Sequence, residues 1–314
     1  MASSGAKISE GVALLTGATG LVGGRLLPHL LSRFAGVRTL SRSAPTPPAA
    51  RSAVSSVEAA GWDGVDPGAI ALEGVSAVIH LAGEPVFGGL PTAARLARVR
   101  ASRIDSTRSL VNRILERPSG DRPAVLVCAS AVGIYGDRGD EELSEAASPG
   151  DGFLAEVCRD WEAEAARARE AGVRVVQMRI GVVLSASGGA LGLMKVPFGF
   201  GLGGRLGGGQ QFFPWIHLDD LVRAILFCLD ERIEGAVNAV APEAVRNTDL
   251  TKALAKVLGR PAFLPVPAFA LRTVLGKISG ELLGSRKVVP AKLQESGFTF
   301  DFPDLTAALA EELA

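Results

Sequence analysis

Tyrosine is almost absent from this chain, and lysine is missing from most of it. Tyr135 is the single tyrosine among 314 residues, and no lysine stands between Lys7 and Lys195. Four residues after Tyr135 comes Gly139. A Tyr-x-x-x-Lys pair, in which an ammonium lowers the pKa of a phenol so that it passes a proton near neutral pH, therefore cannot form. Cysteine is scarce too. Cys128, Cys158 and Cys228 make neither a close pair nor a zinc-type spacing, which excludes a disulfide framework and reads as small buried hydrophobes in a reducing compartment. Neither sign of charge is in excess: Lys+Arg and Asp+Glu each number 33, so no net field draws the whole chain onto nucleic acid or an anionic bilayer. No apolar run approaches the ~20 residues of a membrane span. The first ten residues lack both a signal-peptide core and an arginine-rich transit pattern, leaving a soluble protein of the cytoplasm or an organelle interior as the expectation.

What is present is ample apolar material, 47% of residues, enough for one large or two modest cores. Short apolar runs at 12–15, 37–40, 77–81, 125–128 and 173–178 read as buried strands. Stretches with helical spacing at 21–34, 92–116 and 153–171 fall between them. Strand and helix alternate, which predicts an α/β fold with a doubly wound parallel sheet over residues 1–184. Residues 43–56, rich in Pro, Ala and Ser, read as a surface loop. Beyond 184 the texture changes to a glycine-rich stretch at 185–209, then a strand end feeding a helix at 215–229, whose N-cap falls to Asp219 or Asp220. Residues 221–242 are expected to return to the sheet. The remainder of 185–314 forms a smaller substrate-side lobe of proline-interrupted helices that ends in a short strand at 298–302.

The segment Gly17-Ala-Thr-Gly20-Leu-Val-Gly23 follows the first strand and opens the first helix. Glycines there let a pyrophosphate reach unpaired backbone N–H groups and the positive end of the helix dipole, so a dinucleotide is the expected ligand. The second strand ends in Ser41-Arg42. An acidic residue at this point would take the ribose hydroxyls of NAD, whereas a guanidinium pairs with a 2′-phosphate, so NADP is favoured.

Seven segments then occur in an order that resembles an atypical, epimerase-related branch of the short-chain dehydrogenase/reductases, the branch of the bacterial YfcH-type proteins. They are the glycine turn, His80-Leu-Ala-Gly-Glu84, Ala129-Ser-Ala-Val-Gly-Ile-Tyr-Gly-Asp137, Gly150-Asp-Gly-Phe-Leu-Ala-Glu156, Trp161-Glu162, Arg179-Ile-Gly-Val-Val-Leu184 and Phe213-Pro-Trp-Ile-His-Leu-Asp-Asp220. The resemblance implies an extended Rossmann sheet with a small C-terminal substrate lobe, and NADP as cofactor. It also implies a cofactor site drawn from Gly17, Thr19, Gly20, Leu21, Val22, Gly23, Ser41 and Arg42, then Leu81, Ala82, Gly83 and Glu84, then Ser130, Arg179, Gly181 and Val183. Ser130 matches the serine that the family carries near the end of its strand, while the family's tyrosine and lysine positions fall on Leu154 and Cys158. Leucine donates no proton.

Ser130 and Tyr135 are therefore the candidate catalytic pair, with His217 and Glu84 in reserve. The glycine-rich run 199–209 is a lid over the substrate or a plain loop. Two functions stand open: an NADP-dependent oxidoreductase or epimerase-like enzyme acting on an unidentified small molecule, and a non-catalytic NADP(H)-binding sensor or assembly protein. Nucleic-acid binding through the arginine-rich helix at 92–116 is set aside, because its pattern suits packing on a sheet.

Overall fold

The computed structural model describes residues 11–41, 56–62 and 64–314. In chain order its elements are β1 (Val12–Thr16), α1 (Leu21–Leu31), β2 (Gly36–Ser41), β3 (Ser56–Gly61), β4 (Val75–His80), α2 (Ala93–Glu116), β5 (Val125–Ala131), β6 (Glu142–Leu143), α3 (Phe153–Ala166) and β7 (Arg174–Ile180). There follow β8 (Val182–Leu184), α4 (Gly189–Gly199), β9 (Trp215–His217), α5 (Leu218–Asp230), β10 (Gly235–Ala239), α6 (Asn247–Leu258), α7 (Ala268–Leu275), α8 (Gly280–Leu283), β11 (Lys287–Val288), α9 (Ala291–Glu295) and α10 (Leu305–Leu313).

Seven strands form one parallel sheet in the order β10-β7-β5-β4-β1-β2-β3. β1 lies inside the sheet, with Leu15 registered between Thr39 of β2 and Ile79 of β4. Strands covered on both faces carry near-continuous apolar runs, and successive side chains split between two cores. Ala13 and Leu15 pack with Leu26 and Leu30 of α1 and Leu221 and Ile225 of α5. Leu14 faces the other way, among Leu110 and Ile114 of α2 and Trp161 of α3. Each such fully buried leucine or isoleucine contributes roughly 1.5–3 kcal/mol. The chain turns outward between β1 and β4, where the strand order reverses, and this is the crevice in which doubly wound sheets bind ligands.

Several of the elements after β7 form a third core. Leu191, Phe198, Trp215, Leu250, Leu254 and Leu309 pack together beside the sheet, while β10 returns to its edge. Three details differ from the sequence expectation. Residues 189–199 form helix α4 inside the glycine-rich stretch. The expected strand at 298–302 is irregular chain: the N–H groups of Asp301 and Phe302 go to the buried Asp220 carboxylate, each at 2.9 Å, instead of to a neighbouring strand. Its alternating phenylalanines pack on a helix, with Phe298 edge-on to Phe227 of α5 and to Phe300. Finally, β3 begins at Ser56, where the loop was expected to end, and residues 43–55 of that loop lie outside the described residues. Among the described residues no helix is long and apolar enough to cross a membrane.

Candidate functional site at the β1/β4 crevice

The turn after β1 is shaped by three glycines with different duties. Gly17 sits at φ +74, and a Cβ there would stand 2.9 Å from the carbonyl carbon of Leu81, so the loops leaving β1 and β4 touch backbone to backbone. At Gly23 a Cβ would fall 2.2 Å from the Gly17 carbonyl oxygen; this glycine lets α1 close against the turn. A Cβ on Gly20 would meet only that same oxygen, at 3.3 Å, with open space beyond. Thr19 and Gly20 are exposed, and Leu21 and Val22 are half-buried. No side chain caps α1 and its first turn carries no acidic residue, so its N–H groups and dipole are left to an outside anion.

Thr16 locks the two loops together. Its hydroxyl accepts from the backbone N–H groups of Leu81 and Ala82, both at 3.1 Å, and so gives its own proton to His80 Nδ1 at 2.7 Å. The His80 Nε2 proton then goes to Thr107 Oγ1 at 3.0 Å. Burial lowers the His80 pKa to about 4, which fits the neutral ring this order of donors requires. Leu81, Ala82, Gly83 and Glu84 are thereby held beside the glycine turn.

Ser130 and Tyr135 lie at the carboxyl end of β5 within one buried polar network. Ser130 Oγ donates to Glu162 Oε1 at 2.7 Å. Arg179 grips the same carboxylate with Nε and Nη2, both at 2.9 Å, and its Nη1 donates to the Tyr135 hydroxyl at 2.9 Å. That hydroxyl reaches Asn238 Oδ1 at 2.7 Å and the Ser144 carbonyl at 3.1 Å. Tyr135 is 0% exposed. Burial raises its pKa, and the pull of Arg179 and Asn238 the other way does not cancel it. For Arg179 burial works against the charge, but the Glu162 contacts outweigh it and hold the pKa above the usual arginine value. Both hydroxyls and the whole Arg179 guanidinium are thus spent on protein partners.

Leu154 and Cys158, at the family's tyrosine and lysine positions, are buried, and burial pushes the Cys158 thiol up to about 12. Two charged residues that the sequence reading did not single out stand around them. Glu281 of α8 reaches the turn after β5: a Cβ on Gly133 would lie 3.2 Å from Leu154 Cβ and 3.3 Å from Glu281 Oε2. Burial raises the Glu281 pKa, although Arg286 Nη2 sits 2.9 Å from its carboxylate and partly offsets the shift. Arg286 is itself held by the Gly136 carbonyl at 2.7 Å. Arg103 of α2 donates to the Glu84 and Val99 carbonyls, both at 3.0 Å, lies over the Trp161 ring and passes 3.5 Å from a Cβ placed on Gly83. Burial lowers its pKa, with the Cys158 and Glu84 charges opposing. No local motif marks either residue; only the fold brings them to this place.

The remaining candidates are dispersed. His217, not Asp219 or Asp220, caps α5: its Nδ1 accepts from Asp219 N at 3.1 Å, while the ring stacks on Phe302 at 3.8 Å and Nε2 stands 3.2 Å from Glu312 Oε1. An unprotonated imidazole nitrogen accepts from an N-terminal N–H as a carboxylate does, and the two aspartates are taken elsewhere, Asp219 by Arg25 and Asp220 by the 301–302 backbone. The Glu84 carboxylate faces Arg95 at 3.5 Å. Gly181 is a close-packing point, a Cβ there falling 2.9 Å from the Pro214 carbonyl, and Val183 is half-buried in β8. Ser41 ends β2, and Arg42 lies outside the described residues. Residues 203–207 are tied to 264–266 by backbone hydrogen bonds, which anchors the run read as a lid or loop. An open cavity of about 590 Å³, lined by Asp137, Asp140, Gln210, Arg246 and Ser285 among others, shares no residue with the glycine turn.

Comparison with known proteins gives the family and the fold of the chain. The NAD dependent epimerase/dehydratase family matches residues 13–240, and a domain of unknown function (DUF1731) matches residues 266–312. The chain is 38% identical over 312 residues to the chloroplastic epimerase family protein SDR39U1 homolog of Arabidopsis thaliana, covering 98% of this chain and 88% of that one. It is 36% identical to epimerase family protein SDR39U1 of Bos taurus, over 96% of this chain and 99% of the other. The crystal structure of human epimerase family protein SDR39U1 (isoform2) with NADPH superposes with a TM-score of 0.83 at 32% identity, covering 96% of this chain and 99% of that one.

Proposed function

The chain belongs to the NAD dependent epimerase/dehydratase family, and on that premise we propose that it is an NADP(H)-binding oxidoreductase or epimerase-like enzyme that works without a Tyr-x-x-x-Lys pair. The observation that carries the reading is the uncapped start of α1 behind Gly20, set at the crevice where the sheet order reverses. The similar human protein was solved with NADPH, and the arginine that follows Ser41 in the sequence suits a 2′-phosphate. When bound, the dinucleotide supplies or takes the hydride of a carbonyl–alcohol exchange. The protein must then move a proton at the substrate oxygen. We assign that task to Glu281, because burial raises its pKa from the ordinary carboxylate value, against the pull of Arg286, and it reaches Gly133 and Leu154. Arg103 supplies the fixed cation at the exit of β4. Ser130 and Tyr135 hold the end of β5 in place.

A second reading, an NADP(H)-binding protein without turnover, is favoured by the internal satisfaction of Ser130 and Tyr135. Consumption of NADPH across a broad panel of carbonyl compounds separates the two. The enzyme reading expects at least one compound to be reduced, and Glu281→Gln to lower that rate about 10²-fold at unchanged NADPH affinity. Tight NADPH binding with no consumption anywhere in the panel supports the second reading instead.

A further inference from the structure

The zero net charge of the chain hides a segregation in the C-terminal lobe. Between Asp249 and Glu281 there is no acidic residue but five bases: Lys252, Lys256, Arg260, Arg272 and Lys277. From Gly188 to Leu218 there is again no acidic residue, only Lys195 and Arg205. All seven side chains are exposed, and none is in an ion pair with a carboxylate among the described residues. The same two stretches carry an unusual apolar load. Leu193, Val196 and Phe200 recur along one side of α4 and its end, 66%, 61% and 79% exposed, while Phe263 and Phe269 are 71% and 72% exposed. Helix α7 buries no residue at all.

The two stretches are adjacent in space. Leu264 N donates to the Gly203 carbonyl at 3.2 Å, Val266 N to the Arg205 carbonyl at 2.9 Å and Gly207 N to the Val266 carbonyl at 2.8 Å, so the chain after α4 runs beside the chain before α7. Arg205, Phe263 and Phe269 therefore lie on adjoining segments, and α6, which carries Lys252 and Lys256, packs on α4 through Leu250, Leu254, Leu191 and Phe198. This part of the lobe begins at the cofactor crevice, since a Cβ on Gly189 at the start of α4 would lie 3.3 Å from Leu21 Cδ2.

We infer that this region is a docking surface for an anionic lipid bilayer. Exposed Phe, Leu and Val on adjoining segments mark an interaction surface, and the lone cations of the same segments select a negatively charged, hydrocarbon-bearing partner. A second copy of the chain fits poorly: a two-fold interface would set the same seven cations against one another, with Asp249 and Glu311 the exposed carboxylates of α6 and α10 to offset them. Nucleic acid offers phosphate for the bases but no hydrocarbon for Leu193, Val196 and Phe200. A bilayer of anionic phospholipid offers both, with the phenylalanines entering the headgroup boundary and the bases meeting phosphate.

The test is co-sedimentation of the whole chain with vesicles of phosphatidylcholine alone or with one-third phosphatidylserine, at low and high salt. The expected result is binding to the anionic vesicles about tenfold or more above the neutral ones, weakened by salt. Phe263→Ser/Phe269→Ser and, separately, Lys252→Glu/Lys256→Glu should each lose most of that binding while retaining the parent's circular dichroism and NADPH affinity. No binding of the folded parent to anionic vesicles at low salt overturns the inference, as does equal binding by both folded variants. A concentration-dependent dimer that Phe263→Ser/Phe269→Ser dissolves, without vesicle binding, assigns the surface to a second copy and overturns it too. NADPH affinity is read in the same preparations, so loss of vesicle binding is distinguished from loss of the cofactor site.

Discussion

At the scale of single residues, the site turns on what each side chain has left to give. Tyr135 is the only phenol in the chain, yet its oxygen already meets Arg179 and Asn238 and its ring is sealed. Replacing it with phenylalanine removes a buried hydroxyl and leaves Asn238 Oδ1 and one Arg179 N–H without that partner, a loss of about 1–3 kcal/mol. Tyr135→Phe should therefore lower the midpoint of denaturant unfolding clearly while leaving NADPH affinity and any turnover within a few-fold of the parent. A turnover loss of ~10²-fold with unchanged stability would return the proton to Tyr135 and take it from Glu281. The glycines of the turn were legible in the sequence because their spacing is local. Tyr135 was legible only by rarity, since its partners lie 44 and 103 residues away. Glu281 and Arg103 were not legible, being ordinary charged residues until the fold sets them beside Leu154 and Gly83.

Elements bring these residues to their places, and β1 is tied to β4 through Thr16, His80 and Thr107. The pKa of His80 is depressed in the folded chain, to about 4 against an ordinary value near 6.5, so the folded state binds fewer protons than the unfolded one. Stability from this source is complete above the ordinary value and is lost as pH falls through the window from about 6.5 to about 4. From pH 7 to pH 5 the loss amounts to about 2 kcal/mol. Urea unfolding at pH 7, 6 and 5 should show that decline in the parent and a shallower one in His80→Gln, which carries no ring to protonate. Identical slopes would place the pH dependence on other groups. Strands and long helices were readable because their apolar periods are regular. The 298–302 segment misled because its Phe-x-Phe-x-Phe alternation is a strand's period, while its backbone donors belong to Asp220 and its rings to α5. Helix α4 was hidden by its glycines and by a buried face of only Leu191 and Phe198.

Over the whole molecule, the parallel sheet provides the crevice and the C-terminal lobe closes it with side chains of its own. The region matched as a domain of unknown function contains both Glu281 and Arg286, which reach the turn after β5, Arg286 from 150 residues away in sequence. A lobe of this kind brings a buried carboxyl group with a raised pKa close to Leu154, and it is there that we propose the proton is moved. The central claim beneath that arrangement is that the turn Gly17 to Gly23 holds an NADP(H) pyrophosphate. Calorimetric titration of the parent and of Gly20→Val with NADPH and NADH tests it most directly. A valine at position 20 meets only one backbone oxygen, so the variant should fold, as checked by circular dichroism, but its branched side chain would fill the space of the pyrophosphate. The account predicts that the parent binds NADPH more tightly than NADH and that folded Gly20→Val binds neither; NADPH affinity in folded Gly20→Val equal to that of the parent would contradict it.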